Sequence, residues 1–133
     1  MANFLAEGFV VEDECDFTFL PHAVFLDGTI YCLGGIQVEV EKTIAILHGS
    51  GMRALVQTRS FRYNAWVKNG NNILRYESAV GHRPLPHKHT FDTFGDGGET
   101  EVTEYDRSGD VPTLGAVIKQ LREWYDTNRP RLS

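Results

Sequence analysis

Hydrophobic and polar residues alternate through the first half of the chain. In the segment IQVEVEKTIAIL, Ile36, Val38 and Val40 alternate with polar residues, which is typical of an antiparallel strand with one face in water. Just before it, the runs HAVFL and TIYCL flank Asp27-Gly28, a strong signal for a two-residue hairpin turn. We therefore expect a hairpin at this dipeptide, followed by a third strand. Residues 1–20 follow neither period and receive no assignment.

Two longer segments continue the predicted sheet. ALVQTRSFRYNAWVK and ILRYESAV are separated by the turn residues Asn69–Asn72, which predicts that they are hairpin partners. The next segment, HRPLPHKHTFD, contains Pro84 and Pro86, so we expect an edge strand or an extended loop with partly exposed side chains. The pattern as a whole predicts an antiparallel sheet of about five to six strands over about residues 22–92.

The C-terminal part of the chain has a helical period. An acidic, glycine-rich stretch over about residues 93–110 predicts a loop, with at most a short strand at Val102–Tyr105. Asp110 is a suitable N-cap, Pro112 suits a first turn, and apolar residues then recur every three to four positions. We expect one amphipathic helix over about residues 111–127, covering the apolar face of the sheet. The predicted fold class is α+β, a single two-layer domain spanning residues 1–133.

Composition supports one globular domain. The chain has 133 residues, of which 41% are hydrophobic and 23% are charged, a balance that excludes a disordered or fibrous protein. Apolar runs are too short for a membrane span, and the N-terminus lacks the basic region of a signal peptide, so we expect a cytoplasmic protein without membrane contact. Cys15 and Cys32 are expected to be reduced and buried.

Charge is distributed unevenly along the chain. The net charge of the chain is -5. Between Arg53 and Thr90, however, there are seven Lys and Arg residues and only one acid, Glu77, which gives this segment a charge of +6 and leaves -11 for the rest of the chain. Clustered cations interleaved with aromatic residues predict a groove for a polyanion such as RNA, although a solvated basic hairpin is the simpler alternative. The expected nucleic-acid contacts are Arg59, Arg62, Tyr63, Trp66 and Arg83.

Residues 75–89 hold the densest set of reactive side chains. His87 and His89 are two positions apart, so both rings project to one side of an extended backbone, with Lys88 on the other. RNA cleavage needs a base, an acid and cations for the developing phosphorane charge, and histidine, arginine and lysine supply them without a metal or other cofactor. The candidate catalytic residues are His87, His89, His82, Arg75, Tyr76 and Lys88, with Glu77 orienting an imidazole.

Two other functions stay open at this point. The His-x-His pair with Asp92 or His82 has ligands for zinc or manganese, as in a metal-dependent hydrolase, but the surrounding positive charge disfavours a dication. Alternatively, the basic aromatic hairpin over residues 53–90 is a non-catalytic nucleic-acid-binding or regulatory module.

The motifs of this region resemble a known family. The strand RSFRYNAW, the motif RYES, His82 and the closing Pro86–His89 resemble the TumE-like toxins of prokaryotic type II toxin-antitoxin systems. The family tends to show Asp-Asn where this chain has Glu77-Ser78. The resemblance implies a small toxin that inhibits growth through RNA cleavage or interference with translation. It also implies a cognate antitoxin, typically with a helix-turn-helix domain, as partner; a homodimer is a further possibility.

Overall fold

One antiparallel sheet of eight strands dominates the structure. The computed structural model describes residues 8–47, 55–78, 85–106 and 111–132. Within them lie one α-helix and two short 3-10 turns, Leu33–Gly35 and Arg129–Arg131. The predicted combination of an antiparallel sheet with one C-terminal helix is confirmed, but the sheet has more than the expected five to six strands. The elements are β1 (Val10–Asp13), β2 (Asp16–Leu20), β3 (Ala23–Cys32), β4 (Ile36–Leu47), β5 (Leu55–Val67), β6 (Asn72–Glu77), β7 (His87–Phe91), β8 (Glu99–Glu104) and α1 (Leu114–Asn128).

The strands follow one another in space almost as they do in sequence. The order in the sheet is β1-β3-β4-β5-β6-β7-β8, and β2 pairs with the same strand, β3, as β1 does. β1 lies against residues 30–32 of β3, and β2 lies against residues 23–27. The N-terminal segment that received no assignment therefore forms one edge of the sheet.

The predicted hairpin at Asp27-Gly28 is wrong, because β3 runs straight through it. Except for His22 and Leu33 at their outer ends, the runs HAVFL and TIYCL belong to a single ten-residue strand, which pairs along its length with the long strand β4. Gly28 has φ 145°, and a Cβ there would lie 2.3 Å from the Glu14 carbonyl oxygen. Glycine at this position thus lets the edge chain pass from β1 to β2 close against β3, instead of forming a turn.

Strand β7 is interior, not the edge strand that its prolines predicted. It pairs with β6 on one side and with β8 on the other. Pro86 precedes the first residue of β7 and so removes no donor from the sheet, while Pro84 lies outside the described residues. The predicted loop over residues 93–110 contains β8, which covers the edge of β7 and explains why side chains expected to be partly exposed are buried.

The helix begins later than predicted. α1 starts at Leu114, and its N-cap is Thr113, whose hydroxyl accepts a hydrogen bond from the Ala116 N–H at 3.2 Å. The predicted cap, Asp110, lies outside the described residues. Val117, Ile118 and Leu121 are fully buried and form the seam between helix and sheet.

Alternation along the strands gives the sheet an apolar and a polar face. Toward the helix, Val38, Val40, Tyr63, Ala65 and Tyr76 are buried in the core. The opposite face, called the polar face below, consists of two cross-strand rows. The first row is Asp27, Glu41, Arg62, Glu77, His87 and Glu104, and the second is Thr29, Glu39, Asn64, Arg75, His89 and Val102.

The two cysteines differ in exposure. Cys32 is buried as expected, whereas Cys15 is only half-buried, and both are free thiols. Burial raises the pKa of each to about 12, with Asp13 adding to the shift at Cys15. Such high pKa values keep both sulfurs protonated and unreactive near neutral pH. Among the described residues, no helix is long and apolar enough to cross a membrane.

Candidate functional site

Strands β6 and β7 bring four of the predicted residues together on the polar face. His89 lies directly opposite Arg75, and His87 lies directly opposite Glu77. The His87 and His89 rings meet edge to face, with centroids 4.8 Å apart. Both are almost inaccessible to water, with 1% and 7% of their surfaces exposed. The histidine pair predicted from the two-residue spacing is thus a close, dry contact.

Each imidazole is held through Nδ1. His87 Nδ1 lies 2.9 Å from the Leu85 carbonyl oxygen, and His89 Nδ1 contacts the Glu99 carboxylate. An Nδ1–H that donates to these acceptors leaves the lone pair of each ring on Nε2. Glu99 is a site residue that sequence reasoning missed, because it belongs to a stretch that was predicted to be a loop.

Glu77 lies between a cation and an imidazole. Its Oε1 is 2.6 Å from Arg75 Nε and 3.5 Å from His89 Nε2. The Arg75 Nε–H is buried and aims at no acceptor among the described residues, so the pair with Glu77 is an ion contact without a directed hydrogen bond. The Arg75 guanidinium also lies over the Phe91 ring, 5.6 Å from its centroid. Glu77 thus contacts the ring that it was predicted to orient, on the Nε2 side.

Tyr76 and Lys88 lie on the other side of the sheet from the histidines. The Tyr76 hydroxyl donates to Gln120 Oε1 of α1 at 2.9 Å, and Lys88 Nζ lies 5.3 Å from the centre of the Tyr76 ring. The structure therefore does not bring these two predicted catalytic residues to the histidine pair. The reason is strand alternation, since positions 76 and 88 have the opposite parity to 75, 77, 87 and 89. His82 lies outside the described residues.

The predicted nucleic-acid contacts are also dispersed. Tyr63 is buried beneath the helix and stacks on Phe61, so it offers no ring to a base, and burial raises its pKa. Arg59 is exposed, Trp66 is half-buried, and Arg62 stands in register between Glu41 and Glu77. Arg83 lies outside the described residues. The basic segment of the sequence does not become a uniformly positive face.

A groove of about 590 Å³ runs along the polar side of the sheet and reaches Glu77. Its charged lining mixes the acids Asp27, Glu41 and Glu77 with the bases Lys42 and Arg62. Ser78, which exchanges hydrogen bonds with the backbone of Phe61, lines the groove next to Glu77. Among the residues of the site, Glu77 lines this groove and the two histidines do not, and its charge is not the predicted positive one.

Three described side chains have the chemistry and spacing to hold a metal ion. Glu77, His87 and His89 each offer one ligand atom, and these atoms lie within 4.8 Å of one another. The carboxylate predicted for this role, Asp92, is not part of the group. Asp92 instead closes the turn after β7, where its backbone bonds Gly98 and Gly97.

Comparison of the chain with protein-family models, curated proteins and solved structures finds no match.

Proposed function

We propose that this protein is a toxin that acts on RNA as an endoribonuclease, with His87 and His89 as its acid–base pair. The observation that carries the proposal is the contact of two imidazoles whose centroids are 4.8 Å apart, beside a guanidinium and a carboxylate. The resemblance of RYES and Pro86–His89 to TumE-like toxins points to the same reaction. The proposed mechanism uses side chains of the protein and no cofactor.

The contacts of the two rings suggest different roles. His87 is held by a neutral carbonyl and keeps its lone pair on Nε2, which suits the base that takes the proton of a 2'-hydroxyl. His89 contacts two carboxylates, Glu99 and Glu77, which balance the charge of an imidazolium and suit the acid that protonates the leaving 5'-oxygen. Arg75 supplies the cation nearest to the developing phosphorane charge.

Access to the pair is part of the proposal. Both rings are nearly buried, so an RNA phosphate must reach Nε2 from the groove that ends at Glu77 and Ser78. Arg62 of β5 and Lys42 of β4 are the cations that line this groove. Because the groove holds few cations and several acids, we expect weak binding to long RNA and a shallow dependence of binding on salt.

The proposed antitoxin needs a docking surface, and β2 offers one. All five residues of β2 are exposed, and Phe17 and Phe19 stack on each other with 59% and 74% of their surfaces open. Exposed aromatic side chains on an edge strand are typical of a surface that a partner covers. We propose a helix-turn-helix antitoxin as that partner; a homodimer through the same strand is the alternative.

Induced expression in a bacterial host tests the proposal. Wild type, His87→Gln, His89→Gln and the control His22→Gln are expressed, and growth and total RNA are followed in the same cells. We expect growth arrest with fragmented RNA in wild type and His22→Gln, and normal growth with intact RNA in the two site variants. Arrest in all four with intact RNA would favour the non-catalytic binding module. Circular dichroism of the purified variants shows whether each has folded.

A further inference from the structure

We infer that Glu77, His87 and His89 form a binding site for a divalent transition-metal ion, with Zn²⁺ as the best fit. Each residue offers one ligand atom, a carboxylate oxygen of Glu77 and one ring nitrogen of each imidazole, and these atoms lie within 4.8 Å of one another. The acceptors at Nδ1 of both rings make Nε2 the nitrogen that is free to bind an ion. Two imidazoles and one carboxylate are ligands that zinc prefers, and a fourth position stays open for water or an anion. The inference does not depend on RNA cleavage, because the ion is bound by the protein alone.

One ligand separation is close to that of a tetrahedral ion, and the group as a whole, within 4.8 Å, would draw together around the ion. Zinc bonds of about 2.0–2.1 Å place adjacent ligand atoms of a tetrahedron about 3.3 Å apart. His89 Nε2 and Glu77 Oε1 are 3.5 Å apart, close to that value. The same separation is too long for a strong charge-assisted hydrogen bond between the two groups. An ion between them would join the imidazole nitrogen to a carboxylate oxygen whose other contact is Arg75 Nε, at 2.6 Å.

The atoms behind the ligands are also arranged as in metal sites. Histidines that bind a metal through one nitrogen usually donate the other N–H to a carbonyl or carboxylate, which fixes the ring. Here His87 Nδ1 lies 2.9 Å from the Leu85 carbonyl oxygen, and His89 Nδ1 contacts the Glu99 carboxylate. Both rings are thus held with Nε2 available, and both are almost fully buried.

Local charge favours a dication more than the sequence suggested. The local charge of +6 counts residues by position in the chain, but the sheet places acids of other strands beside the histidines. Glu99 contacts His89, and Glu104 stands opposite His87 on β8. Lys88 is on the helix side of the sheet. Among the described residues, the basic group in contact with the three ligands is Arg75, and it touches Glu77 Oε1.

Metal titration of the purified, chelator-treated protein tests the inference. Co²⁺ is added as a spectroscopic probe, Zn²⁺ is used to displace it, and bound metal per chain is measured after desalting. We expect one ion per chain in wild type, with the visible absorption of tetrahedral Co²⁺. His87→Gln, His89→Gln and Glu77→Gln should each weaken Zn²⁺ binding at least tenfold, and Glu99→Gln should weaken it about tenfold through loss of ring orientation. His22→Gln is the matched control and should bind like wild type.

Two outcomes would overturn the inference. One is wild-type protein that takes up no Co²⁺ or Zn²⁺ after desalting, and the other is equal binding by wild type and Glu77→Gln. If a buried histidine variant fails to fold, Glu77→Gln decides the test, since 16% of the Glu77 side chain is exposed and glutamine has the same shape. RNA is absent from the titration, so failure of metal binding and failure of RNA cleavage are separate results.

Discussion

The Glu77 carboxylate takes part in both proposed activities of this site. Its Oε1 is shared between Arg75 Nε at 2.6 Å and His89 Nε2 at 3.5 Å. A metal ion at the histidines must share that oxygen with the guanidinium, and the two positive charges repel each other. RNA cleavage, in contrast, uses the Arg75 cation to stabilise the phosphorane. Arg75 should therefore oppose one activity of the site and support the other.

Arg75→Gln should move the two activities in opposite directions. Removing the competing cation should strengthen Zn²⁺ binding by roughly tenfold, a difference of about 1.4 kcal/mol, while RNA cleavage should fall by at least tenfold. Arg129→Gln is the matched control, because Arg129 is exposed just after the last turn of α1. Competition titration with a zinc indicator and a single-turnover cleavage assay measure the two effects. Weaker Zn²⁺ binding in Arg75→Gln would mean that the guanidinium positions Glu77 for the metal.

At the scale of elements, the sequence predicts what depends on local periodicity and misses what depends on remote pairing. The alternation of β4 and the helical period of α1 are local, and both elements were predicted within a few residues. Asp27-Gly28 has the local signature of a turn, but pairing with the twelve-residue strand β4 outweighs that preference. Glu99 reaches His89 only because β8 pairs with β7, a contact that no local pattern encodes.

Gly28→Ala should destabilise the fold although it lies in a regular strand. The new Cβ would lie 2.3 Å from the Glu14 carbonyl oxygen, and φ is 145°, so the cost is both steric and conformational. We expect a loss of about 2–4 kcal/mol in the free energy of unfolding, measured by urea denaturation. Gly8→Ala is the control, because Gly8 has φ 79° with no atom within 4 Å of its Cβ, and it should lose about 1 kcal/mol. Equal losses would mean that β3 has no close contact with the edge chain.

Thr113→Ala tests where the helix begins. The Thr113 hydroxyl accepts from the Ala116 N–H at 3.2 Å, so its removal leaves one end group of α1 without that partner. We expect a loss of about 1 kcal/mol in the free energy of unfolding. Thr127→Ala provides the comparison, since Thr127 is exposed in the last turn of α1 and alanine has the higher helix propensity. A loss in Thr127→Ala as large as that in Thr113→Ala would contradict the cap.

For the whole molecule, the placement of charge differs most from the sequence-based expectation. The row Asp27, Glu41, Arg62, Glu77, His87 and Glu104 draws its four acids from four strands, so a basic segment in the sequence becomes part of an acidic row in the sheet. The candidate histidines could be found from spacing alone, because positions 87 and 89 share a side of any strand. The carboxylates beside these histidines could not be found in this way, because their positions depend on the register between strands.

Alkaline pH should weaken the fold through the two thiols. The pKa of Cys15 and of Cys32 is raised from 9.0 to about 12, so between these values the folded state retains protons that the unfolded chain releases. Their contribution to stability is fully present below about pH 9 and is lost as pH rises toward 12. We expect the double variant Cys15→Ser, Cys32→Ala to lose less stability than wild type between pH 8 and about pH 10, measured by urea denaturation. Equal slopes would show that the thiols titrate alike in both states.

Metal and RNA chemistry at one site lead to a last prediction about the whole protein. A dication that binds both Nε2 atoms removes the lone pair of the base and displaces the proton of the acid, so it should stop cleavage by the histidine pair. We expect Zn²⁺ to inhibit RNA cleavage by wild type at least tenfold at saturation, with full recovery on adding a chelator. The chelator alone should leave wild-type activity unchanged, and His22→Gln should behave like wild type in both steps. Loss of cleavage in chelator, restored by Zn²⁺, would make the bound ion part of the catalytic machinery and replace the metal-free mechanism with that of a metal-dependent hydrolase.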